Sequence, residues 1–426
     1  MVIGPGRIVT GAHVVANATF VQVKKPDDPG KAVARVAAIS HDSDLALLEV
    51  EDRSFTRGIP AVKLGELPEL RDEVAVVGYP VGGDDVSITE GVVSRIEVQR
   101  YEHSQRNLLA ITVDAAINAG NSGGPVFCRG KVVGIAFQGM PDAENIGEMV
   151  PAALIRRFLE GVRRKLSPRV PGLGTYQQLT ENPAMRRWLG LRESDGGLLI
   201  TDVQYGSSAW GELEKGDVLL ALDGQRIAAN GTIRYQGRLR CHLEAVFGDH
   251  FVGERVKASL LRKGKRLAVT LTMQPHVYLV PRCEYESDPA WFQFGGLVFQ
   301  RLTAEYLRTW GDNWWDKGPK DLLYAYYSGL RTSACQELVV LTQVLADEVN
   351  AGYEEFHAEV VVEANGKQPR DLADFVRILD AARREVVLRL QSGCVLLLDA
   401  AAARKAEARI LAKYRVPADR SADLGK

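Results

Sequence analysis

The sequence predicts a mainly β chain in three domains, and three observations carry that expectation. Up to about Ile146 the chain is a succession of short β-branched runs, "FVQVKK", "LALLEV", "EVAVVGYP" and "KVVGIAF", separated by Gly, Pro, Asp and Asn. That is the pattern of an all-β barrel or sandwich. An amphipathic stretch follows, and beyond it a strand, break, strand arrangement occurs twice with weak similarity, the mark of a divergent internal repeat. A chain of 426 residues has room for about two to four domains.

In chain order, the amphipathic stretch "PAALIRRFLEGVRRKL" sets Leu154, Ile155, Phe158, Leu159 and Val162 on one helical face, with Pro151 near the first turn, so a helix closes the first domain at about residue 166. "RRKLSPRVPG", with Pro168 and Pro171, reads as a solvated linker. The second domain, 167–275, is built around "GGLLITDVQYGSSAWGELEKGDVLLALDGQRI". The third, 276–426, repeats that theme in "GGLVFQRL" and "VVEANGKQPRDLADFVRIL" around a longer middle. There Trp310, Trp314, Trp315, Tyr324, Tyr326 and Tyr327 cluster. Aromatic side chains bury large areas, so the cluster reads as a satellite core, with a subunit interface as the alternative.

Composition narrows the function classes. Apolar residues make up 46% of the chain and charged residues 25%, as in a globular protein, and 53 basic against 54 acidic residues leave a formal charge of -1. Such a balance gives no general attraction to nucleic acid or to an anionic membrane. The five cysteines, Cys128, Cys241, Cys283, Cys335 and Cys394, are scattered without CxxC spacing, which argues against a disulfide framework or a zinc site and for mostly buried thiols in a reducing compartment. The expectation is therefore a cytoplasmic protein with no metal and no organic cofactor.

The chemistry concentrates in "DAAINAGNSGGPVF", Asp114 to Phe127. A nucleophilic hydroxyl needs a base, a group that orients the base, and backbone donors for the oxyanion. Ser122 stands among glycines that can aim the amides of Gly120 and Ser122 at one point. The domain holds three histidines: His13 in the apolar, strand-like "IVTGAHVV", and His41 and His103 in polar, turn-like contexts that suit the surface. Asp44, at the junction with "LALL", is the candidate orienting carboxylate; Asp42 would face the same side of an extended strand, so spacing leaves it open.

The order His13, Asp44, Ser122 on an all-β segment is that of the chymotrypsin-like double barrel and differs from subtilisin and the α/β-hydrolases. "GAHVV", "SDLALL", "VVGYPVG", "DAAINAGNSGGPVF" and "VVGIAF" resemble the protease domain of the HtrA/Deg family of ATP-independent serine proteases. The two following domains resemble PDZ domains, the last being similar to the divergent second PDZ domain of plant-type Deg proteases and their bacterial relatives. The fold this implies is a chymotrypsin-like double β-barrel followed by two PDZ-like domains. Relatives carry further strands ahead of the histidine, whereas Met1-Val2-Ile3 begins inside such a strand, so the first barrel is expected to lack at least its first strand.

The resemblance implies an endopeptidase that cleaves unfolded or damaged polypeptides through an acyl-enzyme. Ser122 would be nucleophile, His13 base and then acid, Asp44 the orienting group, and Gly120 and Ser122 the oxyanion donors. Ala116, with Ile135, Ala136 and Phe137, would line a pocket for a small or medium apolar side chain. Asn121, where zymogen-type relatives have aspartate, argues against activation by N-terminal cleavage, and "QGMPDAENIGEMV" has the placement of a regulatory loop. In "VPGLGTYQQL", Gly172, Leu173 and Gly174 read either as a carboxylate-binding loop for peptide C-termini or internal segments or as an ordinary turn. The expected partners are thus polypeptides and further copies of the chain. The alternative from another class is a proteolytically inactive peptide-binding scaffold or chaperone-like protein.

Overall fold

The computed structural model describes residues 1–25, 28, 30–79, 86–115, 117, 120–139 and 146–425. The chain falls into two compact units, Met1–His276 and Val277–Lys426. Ala116 and residues 140–145, the middle of the expected regulatory loop, lie outside the described residues.

The first unit opens with an antiparallel sheet of five strands: β1 (Val2–Gly4), β2 (Arg7–Thr10), β3 (Val21–Lys24), β4 (Lys31–Ser40) and β5 (Leu45–Val50). Their order is β1-β2-β5-β4-β3. Alternation drives its curl: Ala46, Leu48 and Val50 face a small core with Val15 and Ala34, while Leu45 and Leu47 face the larger core shared with the next sheet. Among the described residues this first sheet stays open. The second sheet closes. It comprises β6 (Glu73–Gly78), β7 (Ser87–Arg100), β8 (Asn107–Val113), β9 (Pro125–Cys128), β10 (Lys131–Gly139) and β11 (Gly147–Pro151), in the cyclic order β10-β11-β8-β7-β6-β9. Near-continuous burial along β8 and β10 explains why these strands read as apolar runs.

Helix α1 (Ala152–Arg164) follows with Pro151 at its N-cap and the left-handed Lys165 at its C-cap. Leu154, Ile155 and Phe158 are buried, and Leu159 and Val162 pack partly against the same core. The expected solvated linker is exposed from Arg163 to Arg169 apart from the half-buried Leu166, whereas from Val170 to Gly174 the chain is buried. The reason is specific pairing, since β12 (Pro171–Gly172) forms a ladder with a strand more than a hundred residues later, Gln274–Pro275.

The second domain's sheet begins with β13 (Thr175–Leu179), an edge strand, followed by β14 (Leu198–Val203), β15 (Val218–Leu222) and β16 (Gln225–Arg226). A separate hairpin, β17 (Thr232–Tyr235) and β18 (Leu239–His242), precedes a 3-10 helix at Leu243–Asp249, and β19 (Arg255–Arg262) and β20 (Lys265–Thr272) complete the sheet. One continuous apolar core runs from the closed barrel through α1 into this sheet.

The second unit is a six-stranded antiparallel sheet in sequence order, from Trp291–Phe294 to Val395–Asp399. The helix Leu372–Asp380 buries Leu372, Phe375, Val376 and Leu379 in the unit's own core. The aromatic cluster divides. Tyr326 and the partly buried Trp310 and Trp314 join a satellite core, whereas Trp315, Tyr324 and Tyr327 are exposed. Of the five cysteines, two rather than most are buried: Cys128 and Cys241 are, Cys283 and Cys335 are half-buried, and Cys394 is exposed. No helix of the described residues is long and apolar enough to cross a membrane.

Candidate active site

His13 does not sit in a strand. β2 ends at Thr10, and Ala12 opens a helical turn in which its carbonyl accepts from the amides of Val15 and Ala16 at 3.0 and 2.8 Å. The ring of His13 is thereby carried off the sheet edge. Asp44 meets it with both oxygens: Oδ1 accepts from the His13 amide at 2.8 Å and Oδ2 lies 2.6 Å from Nδ1. Asp44 is fully buried and left-handed at φ 53°, in a turn closed by its amide donating to the carbonyl of His41 at 3.1 Å. That backbone is one Asp tolerates better than most residues.

The same turn separates the two aspartates. Asp42 accepts from the amide of Val170 at 2.8 Å and pairs with Arg106 at 3.2 Å. Arg106 in turn donates to the carbonyls of Val170 and Pro171, both at 2.9 Å. Thus Asp44 serves His13 and Asp42 holds the chain leaving the barrel. The equivalence expected for an extended strand fails because residues 41–44 form a turn.

A carboxylate at Nδ1 fixes the proton there and leaves Nε2 as the basic nitrogen. Among the described residues Nε2 is buried and has no hydrogen-bond partner. Burial pushes the His13 pKa down, but the hydrogen bond and charge of Asp44 together outweigh it, and the net shift is upward from the ordinary value of 6.5.

Ser122 lies on the turn between β8 and β9, half-buried. Its neighbour Gly123 is left-handed at φ 80° and lies so close to the His13 segment that a Cβ there would come within 2.2 Å of Thr10 Oγ1 and 3.0 Å of the Gly11 amide. A Cβ on Gly124 would meet the carbonyl oxygen of Val77 at 2.1 Å. These glycines bring the serine turn against both sheets. The turn is anchored by the Gly123 amide donating to the Ala136 carbonyl at 2.8 Å and the Ala136 amide donating to the Gly124 carbonyl at 3.0 Å. Gly120 is also at positive φ, 101°. Among the described residues the amides of Gly120 and Ser122 donate to no backbone carbonyl. Asn121 is buried against Gly78, where a side chain would clash.

The expected pocket residues Ile135, Ala136 and Phe137 are all buried. Ala136 touches the serine turn through its backbone, and Phe137 stacks on Tyr101 with ring centroids 4.4 Å apart. Sequence reasoning missed Tyr101, whose hydroxyl donates to the Leu109 carbonyl at 2.6 Å. It missed as well the pairing of His41 and His103, expected on the surface. His41 Nδ1 lies 2.9 Å from His103 Nε2, and the His103 ring centroid is 6.2 Å from that of His13. Two polar-context histidines carry no sequence signal that they share a neighbour. No group of His, Cys, Asp and Glu among the described residues is arranged to hold a metal ion.

At the start of β13, Leu173 and Gly174 are buried, and their carbonyls accept from the amides of Ala209 and Gln204 at 3.1 and 2.9 Å. Among the described residues their own amides donate to no other backbone group outside the regular strands, beside an edge strand that has one partner. Gly174, at φ 72°, could not carry a side chain without striking Ser207.

Comparison with known proteins identifies the family. Residues 1–135 match the trypsin-like peptidase domain family and residues 280–423 a PDZ domain family. The chain is 37% identical to protease Do-like 2, chloroplastic, of Arabidopsis thaliana over 427 aligned residues, covering 99% of this chain and 70% of that protein. It is 36% identical to protease Do-like 4, mitochondrial, of the same plant, covering 98% and 78%. The chain belongs to the Do-like (Deg/HtrA) protease family. Among solved structures, the HtrA-type protease AlgW with a tripeptide shares the fold at a TM-score of 0.52 and 24% identity, over 65% of this chain and 88% of that one. This Deg/HtrA protein is a serine endopeptidase with PDZ domain character, and the scaffold alternative is not favoured.

Proposed function

We propose that His13, Asp44 and Ser122 carry the hydrolysis. The observation that supports this is the two-point hold of Asp44 on His13, which leaves Nε2 basic. Ser122 Oγ attacks the scissile carbonyl carbon while its proton passes to Nε2, and the oxyanion takes the amides of Gly120 and Ser122. The imidazolium then protonates the departing amine, the C–N bond breaks, and an acyl-enzyme remains. Water deacylates it by the same proton route in reverse.

The substrates are unfolded or damaged polypeptides with a small or medium apolar residue before the cleaved bond, a preference that rests on Ala116 in the sequence. Gly172, Leu173 and Gly174 form the loop that receives peptide C-termini and β13 pairs with the peptide chain, a reading supported by the strand's position at the sheet edge. Assembly with further copies would cover the exposed Trp315, Tyr324 and Tyr327. Labelling by a fluorophosphonate, with casein digestion alongside, tests the catalytic assignment. Both are expected in the unaltered chain and absent in Ser122→Ala and His13→Ala; labelling that survives Ser122→Ala would overturn it.

A further inference from the structure

A cavity of about 390 Å³ in the second domain is lined by Arg226, Arg234 and Arg240 together with Asp195, Gly196 and Ala229. Arg226 donates to the Ser194 carbonyl at 3.0 Å and Arg240 to Thr232 Oγ1 at 3.0 Å. Among the described residues none of the three guanidiniums meets a carboxylate, although arginines elsewhere in the domain do: Arg262 pairs with Asp217, and Arg266 with Asp195. The one carboxylate in the lining is thus already engaged, by Arg266 and by the Arg192 amide at 2.8 Å. The hairpin adds a second sign, because Arg234 and Arg240 are register partners across β17 and β18. Side chains of such a pair share a face, and like charges there repel. Three unneutralised guanidiniums on one cavity, two of them set directly opposite each other, are the arrangement of an anion site.

The position of the cavity says which anion. The amide of Thr180, just past the end of β13, donates to the Ala229 carbonyl at 3.0 Å, and Thr180 Oγ1 donates to the Gly197 carbonyl at 2.7 Å. The far end of the edge strand is therefore tied to the cavity wall. A peptide that pairs antiparallel with β13, its carboxyl end at Leu173 and Gly174, runs toward that end at about 3.3 Å per residue. Its residues roughly six to eight from the C-terminus arrive beside the arginines. We propose that this cavity is a subsite for acidic side chains, so that the domain prefers polypeptides with Asp or Glu upstream of their C-terminus. The proposal rests on the edge-strand reading above.

Fluorescence anisotropy on the full chain carrying Ser122→Ala tests it, with two labelled peptides of about twelve residues that share their last four and differ by Glu or Gln at the upstream positions. The Glu peptide is expected to bind about tenfold tighter at low salt, the gap closing as salt rises. The double variant Arg234→Gln/Arg240→Gln should abolish the gap, and Arg234→Lys/Arg240→Lys should keep part of it; thermal unfolding checks that both variants fold. Equal affinities, or a gap that persists in the Gln variant, would overturn the subsite. If neither peptide binds, the edge-strand reading fails by itself. An oligo-glutamate without the shared C-terminus then decides: binding that the Gln variant loses upholds the arginine site, and no binding removes it.

Discussion

Asp42 and Asp44 are two residues apart and do unrelated work, because the left-handed backbone at Asp44 turns one carboxylate to His13 and leaves the other on Val170 and Arg106. This assignment has a pH signature. The His13 pKa is raised above 6.5 by Asp44 against the opposing effect of burial, and catalysis needs the neutral ring. As pH falls through that raised value, kcat/KM of the unaltered enzyme should fall, with its acid limb above the ordinary histidine range. In Asp44→Asn the raising causes vanish and burial remains, so the limb should move down, while the rate at neutral pH drops by about 10⁴ through the wrong tautomer. A pH series of kcat/KM for both proteins checks this, and a limb that stays in place would remove Asp44 from the role. The serine turn makes a second residue-level claim. Gly124→Ala would force a Cβ to within 2.1 Å of the Val77 carbonyl, so the turn must shift although every triad residue is retained. Fluorophosphonate labelling should slow by at least about tenfold while the folded state persists, a misplacement of the kind that costs rate through geometry alone.

Elements differ in how far the sequence announces them. The α1 face was legible because a period of 3.6 is a local property, and so were the apolar strands of the closed barrel. The buried course of Val170 to Gly174 was not, since its burial comes from a ladder with Gln274–Pro275 and from Arg106, 64 residues before Val170. Composition around Pro168 and Pro171 could show only a chain break. The candidates His13, Asp44 and Ser122 came from residue type and order; the neighbours Tyr101 and His103 were not legible, because His103 meets His41 from 62 residues earlier and Tyr101 meets Phe137 on β10, and neither contact is a local property. That linker clamp can be tested as an element. Arg106 is 6% exposed and serves Asp42 and two carbonyls, so Arg106→Ala leaves the half-buried Asp42 with only the more distant Arg169, at 3.6 Å, as a cation and leaves two carbonyls without their donor. Loss of one partner of a fully buried, otherwise unpaired ion pair costs about 3 to 5 kcal/mol, and the remaining Arg169 contact holds this loss below that range. Thermal unfolding should show a destabilisation, and labelling of Ser122 should weaken with it, because Asp42 and Asp44 share one turn. An unchanged melting temperature would mean that the clamp adds nothing to the fold.

At the scale of the whole molecule, the three domains expected from sequence fall within two compact units. The closed barrel and the sheet of residues 175–272 share one continuous apolar core, and α1 is the element that joins them. Arg157 on α1 donates to the carbonyls of His250 and Arg169 at 2.7 and 2.9 Å and lies over the Phe251 ring at 4.8 Å. Gly248 lets Leu154 approach, since a Cβ there would come within 2.9 Å of Leu154 Cδ2. Residues 277–426 have a core of their own. Cooperative unfolding follows cores rather than sequence similarity, so calorimetry of the full chain should resolve two transitions, one of them reproduced by residues 277–426 expressed alone. Arg157→Ala removes two part-buried hydrogen bonds and the stacked guanidinium at the joint, and should split the remaining transition into a barrel step and a second step. Three transitions in the unaltered chain would show that the first PDZ-like domain unfolds independently of the barrel. The barrel would then keep its Ser122 labelling when that domain is melted, whereas a shared core predicts that labelling and the first transition disappear together.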